Sequence, residues 1–334
     1  MQRDCLPGMH AMSLPTRPDR IGGGLMGLLV GDALGVPYEF HAPEELPSRE
    51  AIDMTPPAGF ARSHLGTPPG TWSDDGAQAL ALLASLLACN RFDAQDFAAR
   101  LIAWHGAGDY AVDRRVFDCG LQTRLAIHAL RSRVPPLEAG PSNEEHNGNG
   151  SLMRVLPLAL WHAGDDAALI ADAHAQSRLT HGHVRSQVCC ALYCLWARQL
   201  LDGADDGWDE AVAQLGHLYR GQEAFLNELE FVTRPEHGRR VRASGYVLHT
   251  LWAARHAMRE GGYEQVVRAA IAFGDDTDTT ACVAGGLAGL RGGLREIPAR
   301  WIAALRGQSI LRPLLDGLIN QRLGAPDDRG RIEG

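Results

Sequence analysis

The sequence lacks a surplus of positive charge, a paired-cysteine motif, a long unbroken apolar run and any extended β-branched alternation, and each gap excludes something. A formal net charge of −8 and a pI of about 5.9 argue against a nucleic-acid-binding surface, which needs a basic face. The seven cysteines are Cys5, Cys89, Cys119, Cys189, Cys190, Cys194 and Cys282; the number is odd and no two are in CxxC spacing. They read as free thiols, mostly in apolar runs, which fits a reducing cytoplasm. Met1 to Arg20 mixes charges and prolines without an apolar core, so no signal peptide is expected. Ile21 to Gly31 is apolar but too short to span a bilayer, and Asp32 ends it. No convincing tandem repeat is present. The expectation is a cytoplasmic monomer that binds neither nucleic acid nor membrane.

Helical periodicity dominates what is present. The chain has 334 residues, of which 45% are hydrophobic, enough for a substantial core. Apolar residues recur at helical spacing in Asp93 to His105, Cys119 to Leu130, Ser186 to Leu201, Asp209 to Tyr219, Gly245 to Met258 and Gln265 to Ala272. Alanine and leucine are abundant. An all-α fold follows: a single compact multi-helix domain over 21–324, a flexible leader over 1–20 and a flexible tail over 325–334. Proline-rich connectors at Ala42 to Pro57, Thr67 to Gly70 and Val134 to Asn149 are too short to demand a domain boundary. Gly23, Gly27, Gly31 and Gly35 recur every fourth residue, and Ala281, Gly285 and Gly289 do the same. Glycine inside a helix costs about 1 kcal/mol relative to alanine, so such stripes predict closely packed backbones. Helices over 22–34 and 279–291 are expected at the centre of the fold.

Two acidic clusters, Ser73-Asp74-Asp75 and Asp276-Thr277-Asp278-Thr279, stand at opposite ends of the sequence, each opening a small-residue apolar run. Any one aspartate there suits a helix cap. Each cluster has more acceptors than one cap uses, and carboxylates so dense repel one another unless cations neutralise them. All-oxygen sets favour Mg²⁺ or Mn²⁺ over Zn²⁺. His174, His181 and His183 raise the alternative of zinc, which the oxygen-rich clusters make unnecessary. Asn149-Gly150-Ser151 forms a glycine-flanked loop whose backbone N–H groups suit a diphosphate, although such a loop alone is also an ordinary turn.

Five segments occur in a telling order: Gly27 to Phe40 (GLLVGDALGVPYEF), Gly70 to Asp75 (GTWSDD), Gly148 to Arg154 (GNGSLMR), Leu179 to His183 (LTHGH) and Gly274 to Thr279 (GDDTDT). Together they resemble the ADP-ribosylglycohydrolases, over about Ile21 to Gly293. The resemblance implies an all-α fold with a dinuclear site at its centre, holding two Mg²⁺ or Mn²⁺ ions, and cleavage of the bond between ADP-ribose and an acceptor. By position it implies Ser73, Asp74, Asp75, Asp276, Asp278 and Thr279 as metal ligands and Glu39 and Asp75 as catalytic residues. Asp118, Gly120, Asn149, Gly150, Ser151 and His181 would contact ADP-ribose; a helix cap is the alternative reading of Asp118. Asp275 stands where the family commonly has Gly or Asn. The implied partner is an ADP-ribosylated protein, most simply arginine-linked. Serine- or O-acyl-linked ADP-ribose, a non-catalytic ADP-ribose-binding role and phosphohydrolysis of the diphosphate are the alternatives.

Overall fold

The computed structural model describes residues 14–239 and 241–324. Cys5, residues 1–13 of the expected leader and the whole expected tail lie outside the described residues. Among the described residues there is no strand, only one isolated antiparallel bridge between Gly148 and Tyr246.

Helix α1 (Arg17–Gly35) begins before the expected position, so Arg17 to Arg20 belong to the helix and not to a flexible leader. The reason is local: the Thr16 hydroxyl accepts from the Asp19 N–H, and proline occupies the first turn. Every residue from Arg20 to Gly35 is buried. The helix is long and apolar enough to cross a membrane by length and composition alone, but that window is covered by neighbouring helices. Its main partner is α12 (Thr277–Gly292), against which it packs along its length. A Cβ added at Gly31 would lie 2.1 Å from the Ala281 carbonyl oxygen, and one added at Gly35 would lie 2.4 Å from the Asp278 Cα. No side chain fits that seam, and the two helices meet backbone to backbone. The approach places the start of α12, with the second acidic cluster, beside the end of α1.

Packed directly on this pair are α2 (Asp74–Cys89), α5 (Leu156–Trp161), α7 (Val184–Leu201), α10 (Val247–Ala257), α11 (Tyr263–Ile271), α13 (Ala299–Ala304) and α14 (Gln308–Gly324). Beyond them are α3 (Ala94–Ala107), α4 (Leu121–Arg131), α6 (Asp166–Arg178), α8 (Trp208–Leu218) and α9 (Glu223–Val232). The periodic segments of the sequence appear as α3, α4, α7, α8, α10 and α11, displaced by no more than the usual fraying at helix ends. Helix α14 escaped the pattern because Pro313 interrupts it, and a proline inside a helix normally breaks it. Helix α6 mixes aspartates and alanines with few large apolar residues, so its buried stripe of Leu169, Ile170 and Ala173 is faint in sequence. Cys189, Cys190, Cys194 and Cys282 are buried free thiols.

Candidate active site

The site is built where three helix ends converge. Asp32, fully buried on α1, accepts from the Ser73 N–H at 2.9 and 3.1 Å and from the Gly76 N–H at 2.8 Å. It thereby holds the first turn of α2 in place. Ser73 caps that helix, its hydroxyl accepting from the Asp75 N–H at 3.2 Å, and Asp74 and Asp75 follow in the first turn. An Asp74 carboxylate oxygen accepts from the Gln78 amide at 2.8 Å.

The second cluster enters through a left-handed turn, with φ of 74° at Gly274 and 54° at Asp275. Glycine tolerates that region freely, and Asn and Asp tolerate it better than most residues, which is the backbone reason Asp can stand at 275. Asp275 is exposed. The turn is tied to the loop after α1 by reciprocal bonds: the Phe40 N–H donates to the Asp275 carbonyl at 2.7 Å, and the Asp275 N–H donates to the His41 carbonyl at 2.7 Å. Glu39 is thus fixed next to Asp276 and Asp278. Carboxylate oxygens of these three residues all lie within 4.8 Å of one another, and Glu39 forms a second such group with His64 and Asp118. Glu39 is buried, and its carboxyl is 2.5 Å from His64 Nε2.

Electrostatics sets the character of the pocket. Burial raises Glu39 to about 11, with Asp118, Asp276, Asp74 and Asp32 adding to the shift. Burial also raises Asp32 and Asp118 to about 7, the latter aided by Asp276. Asp74, Asp75 and Asp278 are raised well above the carboxylate range, first by burial and then by their neighbours' charges. Burial lowers His64. Burial thus disfavours the charged form of both partners in the Glu39–His64 contact. So many carboxyls cannot all ionise in one desolvated space without counter-charge. One oxygen each of Asp75, Asp276 and Asp278 is buried with no hydrogen-bond partner, a cost natural cores avoid. Acceptor-only oxygens left bare among like charges fit hard divalent cations. Ser73, Asp74, Asp75, Asp276, Asp278 and Thr279 offer such a donor set, and the geometry adds Glu39 on the side of Asp276 and Asp278.

These carboxylates form the floor of a cavity of about 750 Å³ that Glu39, Asp74, Asp75, Asp118, Asp276 and Thr279 help to line. The loop Asn147 to Gly150 also lines it. This loop is stitched to the segment before α10: the Asn149 N–H donates to the Gly245 carbonyl at 3.0 Å and the Val247 N–H to the Asn147 carbonyl at 2.9 Å. The Asn149 amide donates to Thr250 Oγ at 2.9 Å and to an Asp276 carboxylate oxygen at 2.8 Å. The loop and the second acidic cluster are therefore joined directly. His181 and Gly120 also line the cavity, and His181 Nε2 lies against the glycines of the loop.

Several expected contacts take other forms. Ser151 is fully buried behind the loop, bonded to Ser177 at 3.0 Å and to Cys190 at 3.4 Å, so its hydroxyl anchors the loop and does not reach the cavity wall. Asp118 is not a cap: α4 starts at Gly120 without a side-chain cap, and Asp118 faces the cavity. His183 caps α7 through the Arg185 N–H at 3.1 Å. His174 stacks against both Tyr219 and Phe225 and bonds the Tyr219 hydroxyl at 2.7 Å. The three histidines do not converge, and no zinc-like set forms from them among the described residues. Sequence reasoning gave no role to Asp32, His64, Gln78 or Arg154. Asp32 and Arg154 lie inside two of the sequence motifs, but partners 22 to 76 residues away define them.

Comparison with known proteins agrees with this geometry. A family model described as ADP-ribosylglycohydrolase matches residues 13–328. The ADP-ribosylarginine hydrolase Tri1 of Pseudomonas putida (strain GB-1) is 30% identical over 307 residues, 91% of this chain and 78% of the relative. The ADP-ribosyl-[dinitrogen reductase] glycohydrolase of Rhodospirillum rubrum is 30% identical over 88% of this chain and 92% of its own length. Human ADP-ribosylhydrolase ARH3 is 28% identical over 86% of this chain and 89% of its own length. A solved structure titled ADP-ribosylglycohydrolase-related protein complex superposes with a TM-score of 0.74 at 30% identity, covering 92% of this chain and 99% of that one.

Proposed function

Since the chain belongs to the ADP-ribosylglycohydrolase family and is a glycosidic-bond hydrolase, we propose that it removes ADP-ribose from modified arginine side chains of a protein, with Mg²⁺ or Mn²⁺ held at two adjacent positions. One observation carries the reading. A cavity of about 750 Å³ is lined both by buried carboxylates, some with an oxygen left without a hydrogen-bond partner, and by the glycine-flanked loop over 147–150. The arginine linkage is favoured because two of the relatives are named ADP-ribosylarginine hydrolase.

Bound divalent ions would supply the charge that lets the surrounding carboxyls ionise, and would orient ribose hydroxyls and water. The chain's own residues do the rest. The loop over 147–150 and His181 hold the diphosphate, fixing the anomeric carbon over the acidic floor. Glu39, once ionised, takes a proton from the attacking water; the bond from the anomeric carbon to the guanidine nitrogen breaks, and the leaving nitrogen receives a proton. Carboxylates beside the sugar stabilise the oxocarbenium character of the transition state. Asp118, within reach of Glu39, completes the acid–base pair.

Product analysis on defined arginine- and serine-linked ADP-ribosyl peptides tests the proposal. It predicts intact ADP-ribose and unmodified arginine from the first substrate in the presence of Mg²⁺. Turnover confined to the serine linkage would reassign the acceptor, release of AMP would indicate diphosphate hydrolysis, and no turnover on either would favour a binding protein.

A further inference from the structure

The two walls of the cleft share one buried cation. Arg154 is 0% exposed, and its guanidinium lies over the Phe97 ring at 5.3 Å. Its N–H groups donate to Gln78 Oε1 at 2.8 Å, Gln176 Oε1 at 3.1 Å, the Gln176 carbonyl at 2.9 Å and Thr180 Oγ1 at 2.7 Å. A guanidinium has donors and no acceptor, so every group it touches is fixed in direction.

Two relays leave this hub. With Gln78 Oε1 occupied, the Gln78 amide nitrogen must face the other way, and it donates to Asp74 Oδ2 at 2.8 Å. With Thr180 Oγ1 accepting from Arg154, the hydroxyl proton has one remaining partner among the described residues, His181 Nδ1 at 2.7 Å. Were Nδ1 protonated, it would donate to the second lone pair of Thr180 Oγ1, and the buried Thr180 hydroxyl proton would be left without an acceptor. Nδ1 is therefore the bare nitrogen. Burial and the nearby Arg154 charge keep the imidazole neutral, so its proton is on Nε2. That atom is at the glycine loop: a Cβ added at Gly148 would lie 3.2 Å from it.

We propose that Arg154 is a positioning residue that sets hydrogen-bond polarity on both sides of the cleft, presenting Asp74 to the cation side and His181 as an Nε2–H donor to an anionic group in the glycine loop. The ligand side of this proposal rests on the reading above that the loop takes a phosphate. Arg154 touches neither ligand. It acts through Gln78 and Thr180, and a lysine with its single ammonium would not reproduce the planar fork that reaches four acceptors.

The test uses the full chain labelled with ¹⁵N-histidine. Long-range ¹H–¹⁵N spectra report the tautomer of His181, identified by its loss in His181→Gln, and calorimetry reports Mg²⁺ and ADP-ribose binding. The wild type is expected to show a protonated Nε2 and a bare Nδ1 before any ADP-ribose is added. Thr180→Val keeps the shape but removes the relay: the Nε2–H pattern is lost, ADP-ribose affinity falls about ten-fold and Mg²⁺ affinity holds. Gln78→Leu does the converse, weakening Mg²⁺ about ten-fold with the His181 spectrum unchanged. These single changes carry the test even where Arg154→Met does not fold. An Nδ1–H tautomer in the wild type, or a Thr180→Val protein with unaltered spectrum and ADP-ribose affinity, would overturn the proposal. Failure of the wild type to bind ADP-ribose would instead sink the functional reading, since the tautomer is read without that ligand.

Discussion

Glu39 occupies the position where a proton must be handled, buried among Asp118, Asp276 and Asp278 and in contact with His64. Replacing it with Gln keeps the shape and removes the titratable group. Hydrolysis at saturating Mg²⁺ is expected to fall by about 10²–10⁴-fold, the usual reach of general acid–base catalysis. Because its oxygens lie with those of Asp276 and Asp278, Mg²⁺ affinity is measured alongside. A variant that turns over like the wild type would remove Glu39 from the chemistry. Asp278→Asn probes the cation side. One buried carboxyl fewer relieves repulsion, so the melting temperature in chelator rises, while the further rise produced by Mg²⁺ shrinks. A variant with the full Mg²⁺-induced rise would show that Asp278 is not a ligand. His174 gives a pH prediction away from the site. Burial lowers its pKa from 6.5 to about 4, so between those values the unfolded chain binds the extra proton. Its contribution to stability is complete above pH 6.5 and is lost as the pH falls toward 4. His174→Gln flattens that acid limb of a melting curve against pH; an unchanged limb would place the lability elsewhere.

Elements decide whether these residues meet. The α1–α12 seam has no room for a side chain at Gly31, where a Cβ would sit 2.1 Å from the Ala281 carbonyl oxygen. Gly31→Ala must push the helices apart. We expect a loss of about 1–3 kcal/mol in chemical denaturation, as overpacked cores show, together with weaker Mg²⁺ binding, because α12 carries Asp278. Unchanged stability would mean the seam is looser than its geometry. The glycine stripes made this pairing legible in sequence, since backbone contact leaves a four-residue signature of its own. The acidic clusters were legible for a similar reason: their members are contiguous. What sequence could not show is how contiguous residues divide their labour. Ser151 and Asn149 share one short loop, yet one side chain turns inward to Ser177 and the other reaches Asp276. The direction is set by α6 and α12, which arrive from elsewhere in the chain. Asp32 and Arg154 were hidden in the same way, because a buried polar residue is defined by distant partners and not by its neighbours in sequence.

At the scale of the whole molecule, the fourteen α-helices among the described residues hold a strongly acidic pocket inside a largely apolar core. Such an arrangement costs stability unless counter-charge is supplied, so pocket and cation are expected to depend on each other. The family relationship fixes the kind of bond broken, and the pocket brings together acidic groups that could hold a metal ion. The most direct measurement is release of intact ADP-ribose from an arginine-linked substrate by wild type and Asp278→Asn, each with Mg²⁺ and with chelator. The account predicts turnover by the wild type with Mg²⁺ and its loss in the other three conditions. Equal turnover with Mg²⁺ and with chelator would contradict it.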